Sequence, residues 1–147
     1  MNRSLFKMFS AITILALILM ALPMQRISAA GTISLTMLDS AYAENFDTLS
    51  NVAGSTTNNL TINGWYMTES GGGARDNEQY AVDTGASNTG DTYSYGAAGN
   101  TERALGGLRS GTLIPIFGAH FTNNTGSTIT SLDVAYMGAE WRLGTAA

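Results

Sequence analysis

Two kinds of apolar pattern divide the chain. From Ala11 to Leu22 the residues are continuously apolar apart from Thr13, whereas beyond residue 40 apolar positions come in short alternating runs. Clusters of Gly, Asn, Ser, Thr and Asp separate those runs. Alternation with period two marks half-buried strands, and the intervening residue types tolerate the left-handed backbone angles of turns. The pattern predicts strands over 41–48, 63–69, 78–83, 92–97, 103–108, 113–122 and 129–143. No stretch sustains the i, i+3, i+4, i+7 spacing of an amphipathic helix. Short strands at this spacing predict an all-β chain built as an antiparallel β-sandwich.

The last run has a feature of its own. Leu132, Val134 and Tyr136 share one face, whereas Ala135, Met137, Trp141 and Leu143 share the other, so the apolar side switches near Gly138. A bulge there, or two short strands, accounts for such a switch. Glu140 and Arg142 fall on one face and are placed to pair. Past Leu143 the pattern stops without a closing strand, and an exposed edge is a liability. The expectation is therefore a truncated sandwich, residues 41–147, whose remaining strands and downstream domains belong to further sequence.

The early run changes the picture of where the chain works. Arg3 and Lys7 precede the apolar stretch, Pro23 ends it, and the small residues Ser28, Ala29 and Ala30 follow. This is the pattern of a helical secretory signal peptide, residues 1–30, cut after Ala30. The run is shorter than the roughly 20 residues of a spanning helix, so no membrane association is expected after its removal. Residues 31–40 read as a short leader.

Composition narrows the function classes. Without residues 1–30 the chain has no lysine, and Arg75, Arg103, Arg109 and Arg142 face eleven carboxylates. Such acidity opposes nucleic-acid binding, which rests on Lys and Arg neutralising phosphates. The chain contains no cysteine, so an exported domain must hold together by its core or by bound ions. A chain of about 117 residues has enough core for one domain and buries roughly two-thirds of its unfolded surface.

The stretches "YAENFDTL", "NGWYMTESG" and "SNTGDTYSYGAAGNTERALGGLRSGTLIPIFGAHFTNNTGSTITSLDVAYMGAEWRLG" resemble an N-terminal module of large bacterial secreted proteins. That module is a jelly-roll-like β-sandwich of the concanavalin-like type. It stands ahead of extracellular endonuclease/exonuclease/phosphatase-type nuclease domains, cadherin or Ig-like repeats, or surface-sorting tails. The resemblance covers roughly residues 41–144, and "GDTYSYG", "ERALGGL" and "FTNNTGSTITSL" are its most specific pieces. It implies a secreted or cell-surface location, a structural role, and a second half that completes the sandwich.

Reactive constellations are sparse. His120 is the single histidine and no GxSxG elbow occurs, so neither a Ser-His-Asp arrangement nor a zinc site of several His or Cys ligands is expected. Glu44, Asp47, Glu69, Asp83 and Glu140 are the carboxylates available for paired acid–base work, and nothing in the sequence brings any two of them face to face. "SGGGARDN" and "RALGGLRSG" lack the G-K-[ST] of a phosphate loop. No catalytic residue is expected. Calcium suits the oxygen-rich loops, with Glu44, Asp47, Asp83 and Asp91 as ligands. Trp65, Tyr93, Tyr95 and Trp141 are candidates for stacking on an extracellular glycan. The leading expectation is a non-catalytic structural or adhesion module; the alternatives are the leader of a secreted nuclease and a carbohydrate-binding module.

Overall fold

The structure is a computed structural model that describes residues 31–143; the signal-peptide reading falls on residues outside them. Among the described residues the chain is all-β, with strands β1 (Ile33–Leu35), β2 (Trp65–Ser70), β3 (Tyr80–Asp83), β4 (Asp91–Tyr95), β5 (Ala104–Leu108), β6 (Ile114–Ala119) and β7 (Phe121–Asn123). No described helix is long and apolar enough to cross a membrane.

β2 and β6 pair antiparallel, from Trp65↔Ala119 to Ser70↔Ile114. β7 continues β6 after His120 and pairs parallel with β1. The change of partner happens at His120, whose N–H donates to the Gly64 carbonyl (2.8 Å) while its own carbonyl accepts from the Ile33 N–H (2.8 Å). One residue's N–H and C=O point to the same side of a strand, so β2 and β1 follow one another along a single edge of residues 114–123. Gly64 makes this junction possible. Its φ is +76°, and a Cβ there would lie 2.7 Å from the Ile33 backbone nitrogen, so a side chain is excluded on both counts.

β3, β4 and β5 form the second sheet, with β4 in the middle. The β4–β5 pair is antiparallel and the β3–β4 pair is parallel. The parallel pairings depart from the wholly antiparallel arrangement the sequence predicts. A four-residue strand is only ~13 Å long, so residues 84–90 suffice to carry the chain back to its starting end. The Asp83 carboxylate folds that return by accepting from the Gly85 (2.9 Å) and Ser87 (3.2 Å) N–H groups.

The core lies between the sheets. Trp65 and Met67 of β2 meet Tyr80 of β3, Leu105 of β5 and the loop residues Phe46, Leu49, Leu60 and Ile62. A second cluster, Ala81, Tyr93 and Tyr95 with Ala104 and Leu108, covers the other face of the β3–β4–β5 sheet. β4 is consequently buried along its whole length. Close sheet contact is built into the sequence at Gly107, where a Cβ would come within 2.7 Å of the Pro115 ring.

Three expectations are corrected. Residues 41–48 form no strand: they close a turn, with Phe46 at φ 63° and the Glu44 carboxylate accepting from the Phe46 N–H (2.9 Å). Residues 129–143 form no strand either and are almost wholly exposed. They pair with no sheet edge, and Arg142 bonds the Ser87 carbonyl instead of Glu140. Residues 33–35, read as leader, make strand β1.

Candidate functional site

Polar residues on strand faces that turn inward create the most unusual chemistry. On β2, period-two alternation puts Glu69 on the same side as Trp65 and Met67. On β4, Asp91 opens the buried central strand. Glu69 is 5% exposed and Asp91 1%. Both carboxylates accept from one donor, the Thr92 N–H, at 2.8 Å (Glu69) and 2.9 Å (Asp91).

The loop over residues 71–79 supplies what the pair lacks. Arg75 forms an ion pair with Asp91 (Nη1–Oδ2, 2.9 Å), and the second oxygen of Glu69 accepts from the N–H groups of Asn77 (3.2 Å) and Glu78 (3.3 Å). Asp76 braces the loop's start through the Gly72 N–H (3.2 Å). Two carboxylates and one guanidinium thus clasp this loop to the core. The Asp91 carboxyl is pushed up to about 7: burial raises it, the Arg75 hydrogen bond opposes, and hydrogen bonding and charge from Glu69 reinforce the rise. Proximity of two carboxylates makes simultaneous ionisation costly. As pH rises through about 7 the Asp91 carboxyl gives up its proton.

Arg103 forms a second polar centre. It is 4% exposed, and its guanidinium donates to the Ser94 hydroxyl (2.8 Å), the Ala97 carbonyl (3.2 Å) and the Ser94 carbonyl. Its backbone N–H reaches Asp47 (3.2 Å). Burial lowers its pKa below the ordinary value. Gly96 is small for this reason: a Cβ there would lie 2.3 Å from the guanidinium.

The proposed calcium ligands occupy separate places. Glu44 and Asp47 brace the 42–47 turn, with Asp47 also accepting from Asn45 (2.7 Å). Asp83 caps the end of β3, whereas Asp91 begins the parallel neighbour β4, so the two sit at opposite ends of that pair. Among the described residues no group of three or more His, Asp or Glu is placed to hold a metal ion.

The proposed stacking rings also divide. Trp65 packs edge-on against Phe46 (centroids 4.7 Å apart). Tyr93 and Tyr95 are buried, and Tyr93 bonds the Thr89 carbonyl (2.7 Å). Trp141 lies flat on Tyr95 (6.1 Å, 7° between planes). Burial of the two tyrosines takes their faces out of reach of a sugar, and the four rings form no common platform.

Outside these centres, residues 114–123 present an open flank. β1 and β2 fill one edge, and among the described residues no strand lies on the other. By alternation from His120, that open edge carries the backbone groups of Phe117, Ala119, Phe121 and Asn123. Pro115, which has no N–H, occupies the same edge, as prolines in edge strands do. Phe117 and Phe121 share the face of the partly buried Met67 and the buried Ile33, yet are 43% and 41% exposed. Phe121 also lines an open groove with Leu35, Ile129 and Leu132.

Compared with protein-family models, curated proteins and solved structures, the chain matches none.

Proposed function

We propose that the chain is a non-catalytic β-sandwich module of an exported protein. It serves as a structural or adhesive segment of a larger extracellular or cell-surface assembly. The observation that carries this reading is the open flank of β6–β7. Unpaired strand edges template pairing with further β structure, and half-exposed phenylalanines on the core-facing side are the interior of a layer still to be covered. Two facing sheets with a core between them suit a sandwich, and the jelly-roll-like arrangement is the form in which further strands complete it. The polar centres support a structural role too. Glu69, Asp91, Arg75 and Arg103 hold backbone segments in place.

Export is tested by expressing the full chain in a secreting bacterium and weighing the product outside the cells. The expected product begins at Gly31. Full-length chain retained inside the cells overturns the exported-module reading.

A further inference from the structure

The open edge has a counterpart in the same chain. Residues 129–137 alternate apolar and polar positions as a strand does, but they pair with nothing: Val134 is 83% exposed, Tyr136 90% and Met137 98%. The segment leaves β7 through a turn closed by Asn123, whose amide donates to the Ser127 carbonyl (2.8 Å) and whose Oδ1 accepts from Thr125. Its far end is docked on the other sheet by Trp141 against Tyr95 and by Arg142 on the Ser87 carbonyl. Anchored at both ends, the stretch between them lies off its own edge strand.

We propose that two copies of the chain associate by reciprocal strand exchange, residues 129–137 of each pairing antiparallel with the open edge, residues 116–123, of the other. One register satisfies both partners. Val134 opposite Ala119 sets Leu132 against Phe121 and Tyr136 against Phe117, all on the core-facing side. On the other side it sets Met137 against Ile116, Ala135 against Gly118 and Asp133 beside His120, the one imidazole in the chain. A shift of one residue would turn Leu132, Val134 and Tyr136 away from the core-facing side. The exchange is isologous: each copy gives one strand and receives one, so the assembly closes as a dimer and leaves neither edge open. This inference rests on the open-edge reading above and names its occupant as a second copy.

The absence of cysteine allows a specific test. In the proposed register Gly118 and Ala135 form a non-hydrogen-bonded cross-strand pair, with Cα atoms ~4.5 Å apart, within disulfide reach. Neither substitution disturbs the core, because Ala135 is exposed and a Cβ at Gly118 meets nothing within 4 Å. Full-length chains carrying Gly118→Cys and Ala135→Cys singly are mixed and oxidised. The expected result is a disulfide-linked dimer from the mixture and none from either variant alone. Gly118→Cys mixed with Gly138→Cys, out of register and on the opposite face, stays unlinked. A third protein carries Gly118→Cys and Ala135→Cys in one chain; if it closes an internal disulfide and the mixture stays unlinked, the segment folds onto its own edge and the exchange is overturned. Failure to link in either format overturns it as well. The mass of the exported product is unaffected by any of these outcomes, so the two readings fail separately.

Discussion

Arg103→Met is expected to destabilise the protein by about 3–5 kcal/mol, a large share of the stability of a domain this size. Methionine fills much of the volume but donates nothing. The substitution leaves the Ser94 hydroxyl, the Ser94 carbonyl and the Ala97 carbonyl without their donor at a site 4% exposed. Buried acceptors stripped of a partner carry their full desolvation cost. Arg103→Lys restores the charge without the planar fork that reaches all three acceptors at once, so it recovers only part of the loss. Urea unfolding of the three proteins measures this. A shift of less than about 1 kcal/mol for Arg103→Met would mean that the guanidinium is not needed to hold the β4–β5 connection.

The second large effect is a stability that falls as pH rises. The folded protein holds a proton on Asp91 up to about pH 7, against an ordinary value of 3.8. A raised folded value means the folded state binds that proton more tightly than the unfolded chain does. Its stabilising contribution is full below the unfolded value and is lost as pH climbs through 7. Between pH 5 and 8.5 the loss amounts to roughly 2–3 kcal/mol. The groups that set it are Glu69 of β2, Arg75 of the 71–79 loop and Asp91 itself, while Tyr93 and Asp83 act more weakly through the charge of Arg75. Asp91→Asn removes the titrating proton and keeps an amide oxygen to accept from Arg75, while the Thr92 N–H keeps its Glu69 acceptor. The variant should match the parent at pH 5, exceed it at pH 8.5, and show a flattened profile between. Melting curves across this range check it, and a parent protein whose stability rises from pH 5 to 8.5 faster than the variant's contradicts the assignment.

Much of the layer architecture was legible from alternation. β3 and β5 lie within the predicted runs, β2 and β4 each overrun theirs by one residue, and the long run over 113–122 contains β6 and most of β7. What alternation does not encode is pairing. The parallel β3–β4 contact depends on strand shortness and on Asp83 folding the return, and the break at His120 depends on which of two strands reaches the edge. Residues 33–35 carried the signal in Ile33 and Leu35, but a three-residue strand beside an apolar leader offers little contrast. Residues 129–143 show the opposite failure. The pattern is that of a strand, yet a strand exists only where an edge receives it.

The polar centres were half legible. Glu69 falls in step with Trp65 and Met67, which already marks it as inward-facing, and it stood among the candidate carboxylates. Its partnership with Asp91 and Arg75 comes from tertiary packing across β2, β4 and a loop, beyond the reach of local spacing. "ERALGGL" owes its character to a buried Arg103 and to glycines pressed against Tyr95 and Pro115. Tyr93 and Tyr95 stood among the stacking candidates; that both faces of β4 are covered is a fact that period-two reasoning about a single strand does not contain.

The most direct test of the open edge is amide hydrogen exchange along residues 116–123, followed at low and at high chain concentration. In dilute solution the N–H groups of Phe117, Ala119, Phe121 and Asn123 should exchange quickly, and those of Ile116, Gly118, His120 and Thr122 slowly, an alternation that follows from pairing on one side only. Raising the concentration should protect the fast set. Equal protection of both sets at every dilution would show the edge already covered within one chain, and the module would have no open flank to complete.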